Sequence, residues 1–187
     1  MEPSSQVSVL EGHIRDCYGR VVWTHKTHEK CADILLQRQS NIKIWLIVAT
    51  SLSATGMLAA IVTPIEMLGV LATLLSTLSL CLTIYTKDYD LGGIAQDHKV
   101  AAQALWAIRE KYLSLLTDIK AEVVTIDCII ETRSHLEKEL STIYENCPRT
   151  NSFAYKQAAK ALKRTQELTF SSDEIDQLLP SELRRKV

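Results

Sequence analysis

The stretch AAIVTPIEMLGVLA, Ala59–Ala72, places one proline and one glutamate inside an otherwise apolar tract. A run of 22 residues without a charge extends from Ile44 to Ile65, and another 20 extend from Met67 to Thr86. A helix rises about 1.5 Å per residue, so each run reaches about 30 Å, the thickness of a bilayer's hydrocarbon core. The sequence therefore predicts a transmembrane helical hairpin over residues 44–86, with spans at about 44–63 and 67–86.

The residues Thr63-Pro64-Ile65-Glu66 are predicted to form the turn between these spans. Pro64 lacks an amide donor and disfavours helical angles at Thr63. Glu66 costs about 2.5 kcal/mol or more in lipid unless its carboxylate reaches water. The tract lies too far along the chain, and is too long, for a cleaved signal peptide. The alternative is a kinked core hairpin in a water-soluble helical bundle.

Basic residues flank the outer ends of both runs, and the connecting turn has no lysine or arginine. The flanking residues are Lys26, Lys30, Arg38, Lys43, Lys87 and Lys99. Cytoplasmic segments beside a span are enriched in Lys and Arg, so we expect both termini to face the cytoplasm. Residues 1–43 and 87–187 would then be cytoplasmic regions on either side of the hairpin.

Small and hydroxyl-bearing residues recur at helical spacing in each predicted span. They are Ala49, Ser53, Gly56, Ala60 and Thr63 in the first span, and Gly69, Thr73, Ser76 and Thr83 in the second. Small residues allow close helix packing in lipid, and hydroxyl groups can bond across helices. We interpret these stripes as helix-packing surfaces, as the lining of an aqueous path in an oligomer, or as both. The spans contain no charged residue, so a charge-ring filter is not predicted.

The regions outside the hairpin also read as helical, which predicts an all-α chain. Residues 1–43 have an amphipathic pattern that continues into the first span. After the second span we expect a bend at Gly92-Gly93, and then a helix that pairs with the N-terminal one. A third helix is predicted to stop at Cys147-Pro148, a fourth to run over about 152–168, and a short last helix to open with a capping box at Ser171 and Glu174.

Two clusters could bind a ligand, and each has a simpler explanation. His25 and His28 lie three residues apart on one helix, with Glu29 adjacent and His98 on the other membrane-proximal helix. Zinc needs three or four converging ligands and only two of these share a face, so a hydrogen-bonded interfacial His28 is the alternative. The stripe of Trp106, Arg109 and Tyr112 could stack on and pair with a nucleotide, or it could simply pack between helices.

Composition argues against several classes of function. The net charge of -1 offers no field for capturing nucleic acid, and the five cysteines form no C-x-x-C pair, as is usual in a reduced compartment. The sequence has no G-x-S-x-G nucleophile motif and no phosphate-binding loop. We therefore expect a protein that is not an enzyme and has no cofactor or bound metal.

Three stretches resemble the SLATT family of bacterial two-span effectors. They are CYGRVVWTHKTHEKCAD before the first span, TLSLCLTIYTKDYD with DHKVAAQALWAIREKYLSLLTDI at and after the second, and the closing AYKQAAKAL with ELTFSSDEIDQLLP. The chain is similar to the subgroup found with reverse transcriptases. The resemblance implies an anti-phage or other conflict system in a bacterial inner membrane, with a reverse transcriptase or nucleotidyltransferase as a system partner and a nucleotide second messenger as a possible signal.

The resulting hypothesis is a membrane effector that oligomerises and forms a pore, or disrupts the membrane, when a partner or nucleotide signal reaches it. The alternative is a membrane-anchored helical scaffold that recruits a partner protein without forming a pore. The family supplies no ligand residues that could be assigned to positions of this chain.

Overall fold

The computed structural model of the chain describes residues 3–62, 65–180 and 184–185. Its regular structure over these ranges is entirely α-helical, which confirms the predicted fold class. The helices are α1 (Pro3–Val62), α2 (Glu66–Asp88), α3 (Leu91–Lys120), α4 (Ile126–Asn146), α5 (Ser152–Lys163) and α6 (Ser172–Leu178). The predicted turn residues Thr63 and Pro64, and the end of the basic tail, lie outside the described residues.

Helix α1 is continuous over 60 residues, or about 90 Å. It begins in the polar N-terminal region and runs without a break into the apolar tract, as the sequence predicted. Helix α2 packs against the apolar half of α1, and α3 packs against the preceding half. One continuous helix therefore connects the hairpin with the rest of the molecule.

The hairpin of α1 and α2 exposes large apolar side chains around most of its circumference. Among the most exposed are Leu58, Ile61, Met67, Val70 and Leu74. Both helices are long and apolar enough to cross a membrane. Such a surface is stable in contact with lipid and is unfavourable in water, which supports the predicted pair of spans over a kinked core hairpin in a soluble bundle.

The bend after α2 lies at Tyr89 and Asp90, not at the predicted Gly92-Gly93. The Asp90 carboxylate accepts a hydrogen bond of 2.9 Å from the Gly93 amide and so caps the start of α3. A Cβ atom at Gly93 would lie 2.5 Å from Asp90 Oδ2. Both glycines lie in the first turn of α3, where the cap requires the space at Gly93, and the chain bends before them while α3 continues along α1.

Outside the hairpin, the helices form what we call the body: α1 up to Lys43 with α3, α4 and α5. Its core contains Ile14, Val21, Leu105, Ile108, Tyr112, Leu115, Ile119, Ile129 and Leu136. The predicted pairing of α1 with α3 is confirmed, and α5 packs on α1 through Ala154, Ala158 and Ala161, all of them buried. Burial of this continuous apolar stripe stabilises the long first half of α1.

The last two helices differ in how well the sequence predicted them. Helix α5 ends at Lys163, five residues before the predicted end, and Gln166 then adopts a left-handed backbone with φ 50°. Helix α6 has the predicted capping box, with Ser171 Oγ accepting from the Glu174 amide and the Glu174 carboxylate accepting from the Ser171 amide. The early end of α5 brings Glu167 back onto α1.

Candidate functional site

The two spans meet along a hairpin seam that we define as Ser53, Gly56 and Ala60 of α1 with Gly69, Ala72 and Ser76 of α2. A Cβ atom at Gly56 would lie 3.3 Å from the Ala72 Cβ, and one at Gly69 would lie 3.8 Å from the Ala60 Cβ. The two backbones therefore approach closely because no larger side chain stands between them.

Two hydroxyl groups of the hairpin seam are used in bonds across the helices. Ser53 Oγ donates to the Ala72 carbonyl at 3.0 Å, and it lies 2.5 Å from Ser76 Oγ. With the glycine contacts, these bonds leave no aqueous path within a single hairpin. The structure thus places Ser53, Gly56, Ala60, Gly69 and Ser76 in helix packing.

Thr73 and Thr83 of the predicted stripe in the second span lie outside the hairpin seam as defined. Thr73 Oγ1 donates to the Gly69 carbonyl and Thr83 Oγ1 to the Ser79 carbonyl, each at 2.8 Å and within α2. Thr77 makes the same kind of bond to the Thr73 carbonyl at 3.0 Å. These hydroxyl groups are satisfied by their own helix and remain on the outer surface of the hairpin.

A histidine pair joins α1 and α3 inside the body. His28 Nδ1 and His98 Nδ1 are 2.9 Å apart, and both side chains are buried. One ring must donate and the other accept, so the two cannot both be protonated in this arrangement. Burial, with the neighbouring His98 and His25, lowers the pKa of His28 to about 4, and burial also lowers the pKa of His98. The pair matches the predicted hydrogen-bonded interfacial histidine.

Beside this pair lies a cleft of about 700 Å³, which we call the lysine cleft. It is lined by His25, Lys26, Glu29, Lys30, Ala32, Asp33, Lys99, Ala102, Gln103, Trp106 and Glu167. Its walls come from α1, from α3 and from the loop after α5. Three separate parts of the chain therefore meet there.

Lys26 is the central charge of the lysine cleft. Its Nζ lies 2.7 Å from Glu29 Oε2 and 2.8 Å from Glu167 Oε2, and its side chain is only 10% exposed. Burial disfavours the charged form, but the hydrogen bonds to Glu167 and Glu29 outweigh it, so the pKa of Lys26 is raised. The hydrogen bond from Lys26 in turn lowers the pKa of Glu167. Lys30 Nζ lies 3.3 Å from the same Glu167 oxygen.

One ring nitrogen of the His25 side chain makes a hydrogen bond, and the other makes none. Its Nδ1 lies 2.9 Å from the Ala102 carbonyl, which can only accept, so Nδ1 carries the proton. Nε2 is buried and has no hydrogen-bond partner, although Glu29 Oε1 lies 3.6 Å away. In the neutral ring, a lone pair therefore faces the lysine cleft without a donor.

The predicted ligand stripe of Trp106, Arg109 and Tyr112 is divided by the structure. The Arg109 guanidinium lies 4.2 Å from the centroid of the Trp106 ring, and Arg109 Nη1 pairs with Glu110 at 2.9 Å. Tyr112 is completely buried in the core, where burial raises its pKa to about 12. In this arrangement Tyr112 has no surface to offer a ligand, and only Trp106 reaches the lysine cleft.

Among the described residues, no group of three or more histidine, cysteine or acidic side chains is placed to hold a metal ion. Sequence reasoning grouped Glu29 with the histidines, but it missed Lys26 and Glu167 as parts of the same site. The motif HKTHEK was visible, but the approach of Glu167, more than 130 residues later, has no signal in local spacing.

An all-helical chain with two long, lipid-compatible helices and an extramembrane helical body defines a two-span membrane protein. The chain belongs to the SMODS and SLOG-associating 2TM effector domain family 4, whose model matches residues 10–174. Such two-transmembrane domains are effectors of anti-phage and other conflict systems. No curated protein and no solved structure matches the chain.

Proposed function

We propose that this effector acts by assembling several hairpins in a bacterial inner membrane, where they form a pore or disrupt the bilayer when a signal arrives. The observation that carries the proposal is the division of polar groups in the hairpin. The hairpin seam uses Ser53 and Ser76 to close each hairpin, while other hydroxyl groups are left on its outer surface. Each of these outer hydroxyl groups donates within its own helix, and its oxygen can still accept from a neighbouring copy or from water.

The outer hydroxyl groups of α2 form a stripe of their own. Thr73 and Thr77 are four residues apart and follow Ala72 and Ser76 of the hairpin seam by one residue each. One residue corresponds to about 100° around a helix, so this stripe faces sideways from the contact with α1. In a ring of hairpins the stripe would border a central path, and the large apolar side chains would contact lipid or adjacent hairpins.

The trigger in this proposal is a shift between a closed and an assembled form. A signal can favour the assembled form only through its higher affinity for that form. Helix α1 passes from the body into the membrane without interruption, so a displacement of the body would move the first span directly. The proposed signal comes from a nucleotide second messenger or from a system partner such as a nucleotidyltransferase or reverse transcriptase.

The proposed orientation places the body and both termini in the cytoplasm. It rests on the basic residues at the outer ends of the spans and on their absence from the connecting turn. A signal made in the cytoplasm would then meet the body before the hairpin.

A membrane-anchored scaffold is the second candidate, and the exposed side of the C-terminal region favours it. Phe170, Ile175 and Leu178 are all exposed there, and Leu178 is 79% exposed. Helix α6 has no buried residue. An apolar surface of this kind suits the docking of another protein.

Replacing the outer threonine stripe of α2 distinguishes a pore-forming effector from a membrane-anchored scaffold. Thr73→Leu with Thr77→Leu should reduce depolarisation, measured with a membrane-potential dye in cells that express the chain with its neighbouring operon genes. The matched control is Ser51→Leu with Thr55→Leu, which adds the same side chains to exposed positions of α1. A pore lined by α2 predicts loss of depolarisation in the first variant and retention in the second.

Equal, undiminished depolarisation in both double variants would contradict the assignment of the path to α2. A second arm replaces the whole hairpin with an unrelated two-span hairpin. A scaffold would keep its protective activity in that chimera, whereas a pore-forming effector would lose it.

A further inference from the structure

The lysine cleft contains more charge than helix packing requires. Lys26 is nine-tenths buried and is held by two carboxylates, while Lys30 and Lys99 line the same space. Removing a lysine ammonium from water is costly unless a partner compensates it. The largest compensating contact of Lys26 outside its own helix is Glu167, which belongs to a loop and not to a packed helix.

His25 supplies a second observation that points to a ligand. Its side chain is only 5% exposed, yet Nε2 has no hydrogen-bond partner. Buried polar atoms are almost always satisfied, so an unpaired ring nitrogen that borders a cleft is available to accept a hydrogen bond from a ligand. Nε2 and Lys26 Nζ both lie within 4 Å of the Glu29 carboxylate, so one small molecule could contact both.

We propose that the lysine cleft binds a small phosphate monoester that carries a free hydroxyl group, and that its phosphate takes the place of the Glu167 carboxylate between Lys26 and Lys30. The hydroxyl group donates to His25 Nε2. This inference rests on the proposed function in one respect: it names the chemistry of the signal that the body receives.

Charge favours a phosphate over the carboxylate that occupies the position. Without Glu167, the lining has three lysines against the carboxylates of Glu29 and Asp33. A phosphate monoester is close to dianionic at neutral pH and has three acceptor oxygens, so it can pair with two ammonium groups at once. A carboxylate brings one charge and two oxygens.

The ligand is a soluble molecule and not a lipid headgroup. Lys26 precedes the start of the apolar tract at Ile44 by 18 residues of continuous helix, a distance of about 27 Å. A headgroup that remains in the bilayer cannot reach the lysine cleft over that distance.

Displacement of Glu167 would free the loop after α5. Gln166 adopts φ 50°, a conformation that is costly for a residue other than glycine. The adjacent contacts of Glu167 with Lys26 and Lys30 hold the loop in place. Loss of these contacts removes what compensates the strain, so the segment from Arg164 onward should detach from α1.

Binding is tested by calorimetric titration of the full chain in detergent micelles. The probes are ribose 5-phosphate and adenosine monophosphate, with ribose and inorganic phosphate as matched partial ligands. Both esters should bind at least tenfold more tightly than inorganic phosphate, and ribose should not bind. The ratio between the two esters distinguishes a sugar phosphate from a nucleotide. Absence of binding by both esters would overturn the proposal.

Three variants test the named contacts. Glu167→Gln should tighten the binding of both esters several-fold, because the competing charge is gone, and Lys30→Met should weaken it at least tenfold. His25→Phe should weaken ribose 5-phosphate but leave inorganic phosphate unchanged, a split that a purely structural role would not produce. Lys111→Met is the matched control, since it breaks an ion pair with Glu139 elsewhere in the body. An unchanged affinity in Glu167→Gln would contradict the competition.

Release of the loop is read by limited trypsin digestion at Arg164, which should be faster with the ester present. Binding without faster cleavage would overturn the displacement of Glu167. Neither measurement involves membrane leakage, so the two proposals can fail separately. Binding of the ester without depolarisation would reject only the role of the ester as the trigger. Depolarisation that does not depend on the ester would be compatible with the proposed pore but would reject the lysine cleft as its sensor.

Discussion

The hairpin seam and the α1–α3 contact of the body join helices in opposite ways. The hairpin seam packs Gly56 and Ala60 against Gly69 and Ala72, and keeps the large apolar side chains on the outside. The body buries Leu105 and other large side chains and keeps most charges on its surface. The same helix, α1, serves both contacts.

The difference follows from the solvent around each region. In water, burial of apolar surface contributes about 25 cal/mol per Å², so large side chains belong inside. In lipid that gain is absent, and close backbone contact with hydrogen bonds must hold the helices together. Small residues therefore stabilise the hairpin seam and large apolar residues stabilise the body, so exchanging the two kinds of residue would weaken both contacts.

The largest effect is expected from a truncation in the body. Leu105→Ala should destabilise the α1–α3 contact by about 2–5 kcal/mol, because Leu105 is fully buried and the change leaves a cavity. Thermal unfolding in detergent, followed by circular dichroism, should show a lower Tm. Leu113→Ala is the control, since Leu113 is exposed on the same helix. Equal Tm losses in the two variants would contradict a body held by its buried core.

Acidification should weaken the same contact by up to about 3 kcal/mol. The pKa of His28 is about 4 in the folded protein, below the unfolded value of about 6.5, so the folded state keeps the ring neutral. The stabilisation is complete above pH 6.5 and decreases as the pH falls from 6.5 to 4. The Tm of the body, measured across this range, should fall with it.

The His28→Gln variant should have a flatter Tm profile between pH 6.5 and 4, because an amide does not titrate there. His13→Gln removes an exposed histidine of α1 and should leave the profile unchanged. Parallel profiles for the parent chain and His28→Gln would show that the histidine pair does not set the pH dependence.

Enlarging a residue of the hairpin seam should destabilise the hairpin, whereas enlarging a residue on its outer surface should not. Gly56→Leu forces a side chain into the 3.3 Å contact with Ala72 and should cost about 1–3 kcal/mol or separate the spans. The readout is the resistance of the hairpin to unfolding by dodecyl sulfate in mixed micelles. Ala54→Leu, which enlarges an exposed position of the same helix, is the matched control. A Gly56→Leu protein as resistant as this control would exclude close packing at this point.

The smallest effect is expected from a single hydroxyl group. Ser53→Ala removes the bonds to the Ala72 carbonyl and to Ser76, worth about 0.6 kcal/mol on average in membrane proteins. The same unfolding assay should show a small loss, while Ser51→Ala, on the outer surface, should show none. A loss in Ser51→Ala of equal size would mean that the hydroxyl groups act within their own helices.

The sequence predicted some contacts closely because they depend on local periodicity. The stripe of Ser53, Gly56 and Ala60 was visible from its spacing, and the structure places it at the contact with α2. The capping box at Ser171 and Glu174 also follows from neighbouring residues alone. The bend at Asp90 was misplaced because a side-chain cap, and not glycine flexibility, determined it.

The lysine cleft could not be predicted in the same way. Spacing identified His25 and His28 as neighbours on one helix. Spacing also grouped Tyr112 with Trp106, although the Tyr112 side chain lies in the core. Two residues that are six positions apart on a helix point in directions about 120° apart. Only the position of the partner helix decides which of the two is buried.

The sequence by itself determined that the chain is helical, crosses lipid twice and carries an amphipathic body, because length, charge and periodicity act over a few turns. The tertiary structure alone decided that Glu167 meets Lys26 and that the His25 tautomer is fixed by the Ala102 carbonyl. Those contacts join residues more than 70 positions apart, and their geometry depends on how α3 and the loop after α5 pack onto α1.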